Sequence, residues 1–542
     1  MQKRQKPLII NGPTLALVAT LLSALPGWSA NVAASRQRPQ LVLSIVVDGL
    51  RSDYLELLSE HFCAGGFNKL IDRGVTLDEV EYGAGVDAAG AVAILYTGAE
   101  PAVNGIATSA TYSTERKMEL PALLDPSKIG NYTTETLSPA AIRVSTLADE
   151  IRIDGGGASY AHSIAPDAAR AIIMAGHSGN SAFWINDANG YWATTTHYLE
   201  VPTAITARNF SHPLSSRIDT ISWAPMIDVA QYPALPAHKR YYPFRHTFTG
   251  QNKFADLKGA APVNHEVTDL AAEYIRTMRL GARDAMDILS VGYTVAPFAG
   301  STDTGARLET MDAYLRLDRE IARLIDAAEQ AGRTVVVLAG TPAPPSSEPD
   351  DPKWLLNTGE FSTRKALSLL NMYLIARHGN GEWVTDYNRG AFYLNRKLID
   401  DRGINAEDLR DDAAKFLMRM TGVANAYTID DILEGRRTQA QRRNTVVASA
   451  PDIYVEVIPG WVILDDFATS QEPTRTTVRS AAAVAPVILY APGVLVPRRI
   501  ESPVDARRIA PTVARILRIR SPNAAGQPPL SQVFSSSSSK TE

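Results

Sequence analysis

The feature that most constrains this chain is a nearly continuous apolar run, rich in β-branched residues, over Gln40–Val47. A strand that faces water on one side alternates apolar and polar residues, whereas an uninterrupted run is typical of a strand buried on both faces, as in a parallel sheet. Asp48-Gly49 ends the run, and a helical pattern over Arg51–Ser59 follows. This strand and helix predict the first unit of an α/β fold.

The same pairing of strand and helix recurs later. Apolar residues at helical spacing predict a long amphipathic helix over Glu309–Gln330, and an all-apolar strand over Val335–Ala339 follows it. Near the end of the chain, Pro486–Tyr490 predicts a strand and Asp505–Leu517 predicts a helix. The alternation predicts a mostly parallel central sheet with helices on both faces.

Between these blocks the composition changes twice. Residues 184 to 246, approximately, are rich in aromatic residues, proline and threonine, and are interpreted as an irregular insertion over one rim of the sheet. A second, α+β insertion is predicted from about 361 to 465. We expect one large domain over 38–530 that contains both insertions, followed by a disordered tail over 531–542.

The first 34 residues have the pattern of a secretory signal peptide. Lys3, Arg4 and Lys6 precede a short apolar run over Thr14–Leu25, and small residues suitable for cleavage follow. That run is too short to span a bilayer comfortably, and no other run is apolar enough; an uncleaved membrane tether is the alternative. The single cysteine, Cys63, excludes an internal disulfide, which suits a periplasmic or secreted bacterial protein with a large core.

The charge balance argues against a polyanionic partner. A net charge of -4 predicts no nucleic-acid binding, because that function favours a basic face. Two local arginine pairs, Arg436-Arg437 and Arg442-Arg443, stand out against this balance. We interpret both pairs as solvated loop residues, with an anion site as the alternative.

Many short motifs follow one another along the chain. They include Leu43–Arg51, Gly65–Phe67, Tyr96–Gly98, Asn104–Ile106, Ala175–His177, Asp312–Asp318, Tyr393–Lys397, Pro451–Glu456 and Asp505–Thr512. In this order they resemble the alkaline phosphatase superfamily, and the closest branch is the bacterial alkaline phosphatases related to type I phosphodiesterase/nucleotide pyrophosphatase. The resemblance covers nearly everything from about Pro39 to Leu530.

This resemblance implies a site at the carboxyl ends of strands, where two metal ions, usually zinc, activate a serine or threonine that attacks phosphorus. Such a pair of cations requires about six Asp and His ligands. Asp48 matches the family's first metal aspartate and is retained, as a remnant ligand. No Ser, Thr or Cys lies between Leu77 and Tyr96, where the nucleophile is expected, and Asp87 is the nearest candidate.

The other ligand positions implied by the resemblance carry different residues. By register, an aspartate has become Tyr293 and a histidine Pro297, and an Asp-His-Gly block reads Ala339–Pro344. The last expected histidine is missing at Ala481–Ala485, and all nine histidines lie at or before His378. A single carboxylate holds divalent cations too weakly to compete with water.

A remnant of the family's phosphate-binding residues is a further hypothesis. Ser109 lies near the position of the family's asparagine and Arg170 near that of its arginine, whereas the family's lysine has no counterpart. Arg170 can hold an anion in bidentate geometry; the alternative is a packing role. His177 matches a framework position and is interpreted as structural.

We therefore expect an exported superfamily member that has lost metal-dependent phosphatase or phosphodiesterase activity. It would act as a binding or scaffold protein, without a cofactor, on an envelope protein or an anionic ligand. The alternative is an active phosphoric ester hydrolase with a rebuilt centre that uses Asp48, Asp87 and Asp303 and requires zinc. A third hypothesis is a protein that binds a phosphorylated or anionic ligand in the old pocket, and the fold alone does not choose among the three.

Overall fold

A computed structural model describes residues 38–235, 240–303, 305–343, 359–466, 473–478 and 484–534. The predicted signal peptide, residues 1–34, and the residues from 535 onward lie outside the described residues. The strands are β1 Leu41–Asp48, β2 Val75–Glu81, β3 Ala110–Ser113, β4 Met118–Pro121, β5 Gly130–Asn131, β6 Ala161–Ile164, β7 Ser181–Ile185, β8 Trp192–Thr195, β9 Ser222–Trp223, β10 His246–Thr247, β11 Asp287–Thr294, β12 Thr334–Thr341, β13 Glu360–Ser362, β14 Val384–Asn388, β15 Ala391–Leu394, β16 Val423–Thr428, β17 Ile453–Val457, β18 Val462–Asp465, β19 Thr474–Thr477, β20 Val484–Tyr490, β21 Arg498–Ile500 and β22 Val504–Asp505.

The α-helices alternate with these strands over much of the chain. They are α1 Ser52–Leu57, α2 Phe67–Arg73, α3 Ala88–Thr97, α4 Pro101–Asn104, α5 Leu147–Asp154, α6 Ala168–Ala175, α7 Thr203–Phe210, α8 Lys253–Lys258, α9 Pro262–Thr277, α10 Arg307–Ala331, α11 Thr363–His378, α12 Arg396–Asp401, α13 Ala406–Leu417, α14 Ile429–Leu433, α15 Gln439–Arg443, α16 Ile509–Leu517 and α17 Ser531–Phe534. The last of these takes up the first residues of the predicted tail, with Val533 buried. In the described part of the chain, no helix combines the length and the apolar character needed to cross a membrane.

The predicted central sheet is present and is parallel in its middle. The strand order is β21-β2-β20-β12-β1-β11-β6-β7-β8-β5, with β22 beside β2. The strands from β12 through β7 in this order run parallel to one another. The strand predicted over Pro486–Tyr490 is β20, which runs antiparallel to both β12 and β2, so the α/β sheet is mixed.

Helices cover both faces of this sheet. Along β1, Leu41, Leu43 and Ile45 are fully buried in a core shared with α9 and α10. Val42 and Val46, which point the other way, are equally buried in a core shared with α3, α6 and α16. The apolar run thus reflects a strand with a core on each side, as predicted.

The two predicted insertions differ in how they relate to the central sheet. Strands β7 and β8 overlap the start of the first one but belong to the central sheet itself. Within the second, β14, β15, β17 and β16 form a separate four-stranded antiparallel sheet with its own apolar core, to which α11 and α13 contribute.

The buried carboxylate of Asp312 links residues 222–232 to α10 by hydrogen bonds. Asp312 is 0% exposed and accepts hydrogen bonds from the Trp223 indole (2.5 Å), the Met226 backbone N–H (2.5 Å) and the Tyr232 hydroxyl (2.7 Å). Arg316, one turn along α10, pairs with the same carboxylate at 2.6 Å. A buried charge is tolerated only when it is satisfied in this way.

Replacing this carboxylate tests its contribution to stability. We expect Asp312→Ala to lower the free energy of unfolding by about 2–4 kcal/mol, because it leaves buried donors and a cation unsatisfied. The control is Asp326→Ala, at an exposed position of the same helix. Chemical denaturation of both variants provides the measurement, and equal midpoints would contradict the expectation.

Candidate functional site

The carboxyl ends of three central strands lie level with one another. In the register of the sheet, Asp48 at the end of β1 is paired with Thr294 of β11 and with Thr341 of β12. This edge is where an open α/β sheet presents a ligand site. A cavity of about 340 Å³ lies there, and its wall includes all the site residues predicted from the sequence: Asp48, Asp87, Ser109 and Arg170.

Asp48 is held by the neighbouring strand. The Thr341 hydroxyl donates a hydrogen bond of 2.8 Å to Asp48 Oδ1. Burial raises the pKa of Asp48, and the nearby Arg170 guanidinium and the Thr341 hydrogen bond only partly oppose this effect. Burial thus favours the neutral form of the Asp48 carboxyl group, whereas Arg170 and Thr341 favour its charged form.

Asp87, the candidate nearest to the nucleophile position, is the N-cap of α3. One of its carboxylate oxygens accepts from the backbone N–H groups of Ala89 (2.9 Å) and Gly90 (3.1 Å). The other accepts from the backbone N–H (2.7 Å) and the hydroxyl (2.8 Å) of Ser109. This geometry is that of a helix cap, which a carboxylate favours because of the partial positive charge at a helix N-terminus.

Arg170 is buried, and its guanidinium group is bonded to other groups of the protein. Only 6% of it is exposed; its Nε pairs with Asp167, and its Nη1 donates to the Tyr293 carbonyl oxygen at 2.6 Å. Asp167 is the N-cap of α6 and lies in the cavity wall. Its role is recognisable in sequence, since an aspartate directly before an apolar helical run is an N-cap signal.

A fourth carboxylate, Glu135, also lies in the cavity wall. It accepts from the Trp184 indole at 2.8 Å and from the Thr133 hydroxyl at 3.1 Å. The cavity therefore carries four carboxyl groups and one guanidinium group. This balance disfavours an anionic ligand, even though Arg170 and Ser109 are both present.

Two positions at which the resemblance implies metal ligands have contacts within the protein. The Tyr293 side chain is fully buried, and its hydroxyl shares a hydrogen bond of 2.8 Å with that of Thr268 on α9. Thr341, within the block Ala339–Pro344, donates the hydrogen bond to Asp48. Pro344 and residues 481–483 lie outside the described residues.

His177 lies outside the cavity wall. Its ring nitrogens are within 3.1 Å of an Asp149 carboxylate oxygen and 2.8 Å of the Ile142 carbonyl oxygen. Asp149 also receives the Ser178 backbone N–H at 2.8 Å. These contacts fit the structural role expected for His177.

Comparison with known families identifies the lineage. Residues 42–480 match the family described as type I phosphodiesterase / nucleotide pyrophosphatase. The chain belongs to this family.

Individual family relatives agree with this assignment. A calcium-transporting ATPase of Myroides odoratus is 24% identical over 93% of this chain and 96% of its own. Alkaline phosphatase PhoV of Synechococcus elongatus is 24% identical over 90% of this chain and 92% of its own. The crystal structure of wild-type alkaline phosphatase PafA has a TM-score of 0.79 at 22% identity, over 92% of this chain and 99% of that one, which supports the alkaline-phosphatase-like fold.

The residues present do not fit the dinuclear zinc centre that the family resemblance implies. Within the residues that the structure describes, no group of three or more His, Cys, Asp or Glu side chains is arranged to hold a metal ion. Each of the four carboxyl groups of the cavity accepts hydrogen bonds from groups of the protein. Asp303, considered for a rebuilt centre, lies outside the cavity wall.

The raised pKa of Asp48 predicts how stability depends on pH. The folded chain holds the Asp48 proton more tightly than the unfolded chain, whose pKa is near 3.8. The contribution of Asp48 to stability is therefore complete below that value and is lost as the pH rises through the folded-state pKa. We expect Asp48→Asn to be more stable than the wild type at neutral pH, and the difference to shrink in acid. Urea unfolding across this pH range measures the effect, with Asp326→Asn as the exposed control.

A double-mutant cycle tests the pairing of Arg170 with its carboxylates. We expect Arg170→Met to lower the free energy of unfolding by about 3–5 kcal/mol, because Asp48 and Asp167 lose their common cation. Asp48→Asn in that background should recover part of the loss, since one carboxylate becomes neutral. Strictly additive effects of the two substitutions would show that Arg170 and Asp48 do not interact.

Proposed function

We propose that this family member does not hydrolyse phosphate esters by the two-metal mechanism, and that it acts by binding as an exported scaffold or partner protein. The observation that supports this proposal most directly is the arrangement of the possible metal ligands. Among the residues that the structure describes, no three or more His, Cys, Asp or Glu side chains are placed to hold a metal ion together. The Asp48 carboxyl group accepts a hydrogen bond from the Thr341 hydroxyl.

The other cavity groups support the same conclusion. Asp87 is used to cap α3, Asp167 to pair with Arg170, and Glu135 to bind Trp184. These contacts fix the orientation of each carboxylate without a metal. Two divalent cations would also require ligands on β11 and β12, where Tyr293 and Thr341 now serve the core and Asp48.

A second function is favoured by the comparisons. The family description and the names of the relatives, which include alkaline phosphatases, fit an active phosphoric ester hydrolase better than a protein without activity. Zinc would be the metal in that case, with Asp48 as one ligand. This candidate requires further ligands beside Asp48, and no such group is placed to hold a metal among the described residues.

Binding of a phosphorylated or other anionic ligand in the same cavity is the least favoured candidate. Arg170 already has two protein partners, and carboxylates outnumber it in the cavity wall. If the cavity does bind an anion, phosphate should raise the melting temperature, and Arg170→Met should abolish that rise.

Elemental analysis and an ester assay separate the first two functions. We expect the purified protein to contain less than one equivalent of zinc, and to cleave p-nitrophenyl phosphate and bis-p-nitrophenyl phosphate at the rate of a blank with added zinc. Stoichiometric zinc together with turnover that Asp48→Asn abolishes would reject the proposal in favour of the hydrolase. Tyr96→Phe, a core substitution outside the cavity, serves as the control for nonspecific effects.

The export that we propose rests on the N-terminal residues. Mass determination of protein secreted by a bacterial host, with the chain lacking residues 1–34 as the comparison, tests whether this segment directs export and is removed.

A further inference from the structure

A second cavity lies at the other end of α3, and we call it the arginine groove. It has a volume of about 620 Å³, and its wall is built by Gly98, by helices α4, α14 and α15, and by residues 524–527 near the C-terminus. Asp87 caps the start of α3 and Gly98 its end, so the ten residues of this helix separate the groove from the first cavity. That spacing is about 15 Å at the rise of an α-helix.

The two arginine pairs of the second insertion differ in their surroundings. Arg436 forms ion pairs with Glu434 and Asp431, and Arg437 pairs with Asp431 at 2.8 Å. In contrast, the guanidinium groups of Arg442 and Arg443, at the end of α15, form no hydrogen bond or close ion pair with the described residues, although Arg443 lies within electrostatic range of Asp505. Both of these side chains line the groove.

The acidic residue in the described wall of the groove, Glu100, pairs with Arg507 at 2.7 Å. Arg507 also pairs with Asp505, which lies within electrostatic range of Arg443. Three arginines, Arg442, Arg443 and Arg507, thus face two carboxylates, Glu100 and Asp505, which leaves one positive charge in excess.

Exposed apolar side chains lie in the same wall as these arginines. Leu433 is 59% exposed, Val447 is 54% exposed and Val103 is 41% exposed. Apolar surface beside unpaired charge on a concave wall is typical of a binding site rather than of a solvated loop.

We propose that the arginine groove binds an acidic segment of a partner protein. Carboxylates of the segment would pair with Arg442 and Arg443 in the bidentate geometry that guanidinium groups favour. Apolar side chains between those carboxylates would cover Leu433 and Val447. A small anion such as phosphate would satisfy the arginines but would leave this apolar surface exposed.

The chain's own terminal segments do not match the charge of the groove. Residues 1–37 contain Lys3, Arg4, Lys6 and Arg36 and no acidic residue. Residues 535–542 contain one lysine and one glutamate. Charge therefore disfavours both terminal segments as the occupant, and the proposal commits to a separate protein. This inference does not depend on whether the first cavity hydrolyses esters.

The test uses the full chain and a fluorescein-labelled peptide of alternating glutamate and leucine. We expect saturable binding by fluorescence anisotropy that weakens as salt is raised. Arg442→Glu with Arg443→Glu should weaken binding at least about tenfold, because both charge partners are reversed. Lys397→Glu with Arg419→Glu, at exposed positions of the same insertion, changes the net charge equally and should leave the affinity within about twofold.

Several outcomes would overturn the proposal. These are no binding of the peptide, equal weakening in both double variants, or equally tight binding of a glutamate–serine peptide of the same charge. Displacement of the peptide by low concentrations of inorganic phosphate would indicate a small-anion site instead. Arg442→Gln with Arg443→Gln, checked by thermal melting, separates a loss of charge from a loss of folding.

Discussion

Burial of both faces of three adjacent parallel strands, β1, β11 and β12, determines where Asp48 lies in the wall of the first cavity. Because each strand has a core on either side, a shift of register by one residue would exchange the side chains that face the two cores. The register that results sets Asp48 beside Thr294 and Thr341. The hydrogen bond between Thr341 and Asp48 is thus a consequence of sheet packing, before any ligand is considered.

What the cavity at this sheet edge can bind depends on which hydrogen-bond and ion-pair partners its carboxylates already have. A two-metal site supplies positive charge to a phosphate ester, and its carboxylate ligands serve to hold the metals. Here the carboxylates bind backbone N–H groups, hydroxyls, an indole and a guanidinium instead. The names of the relatives favour hydrolysis, whereas the local contacts favour a site without metals; a common fold is compatible with either.

The sequence predicts strands β1, β12 and β20 of the central sheet, because an apolar run such as Gln40–Val47 is typical of a buried strand. It does not single out the shorter strands of the sheet, such as β5 and β8. It also indicates which residues meet in the first cavity, since the family motifs give their order along the chain. It does not predict their partners. Arg170 pairs with Asp167 at the start of its own helix, and a sequence can suggest such a local contact. Arg170 also donates to the carbonyl oxygen of Tyr293, 123 residues away, and this contact depends on the topology of the sheet. The antiparallel direction of β20 is not predicted for the same reason. It depends on how the chain returns to the central sheet after the second insertion.

The two arginine pairs look alike in sequence, and they differ in whether carboxylates lie close to them along the chain. Arg436 and Arg437 follow Asp431 and Glu434 closely, so local carboxylates neutralise them. Arg442 and Arg443 end a helix that has no acidic residue of its own.

Among the described residues, the groove therefore offers arginines that a ligand can pair with. In the first cavity, Arg170 is already bonded to Asp167 and to the Tyr293 carbonyl oxygen. Since α3 is buried almost throughout its length and keeps the two cavities apart, a partner bound at the groove would not need to contact the first cavity. The binding proposed at one end of the helix is thus separable from the contacts of the first cavity at the other end.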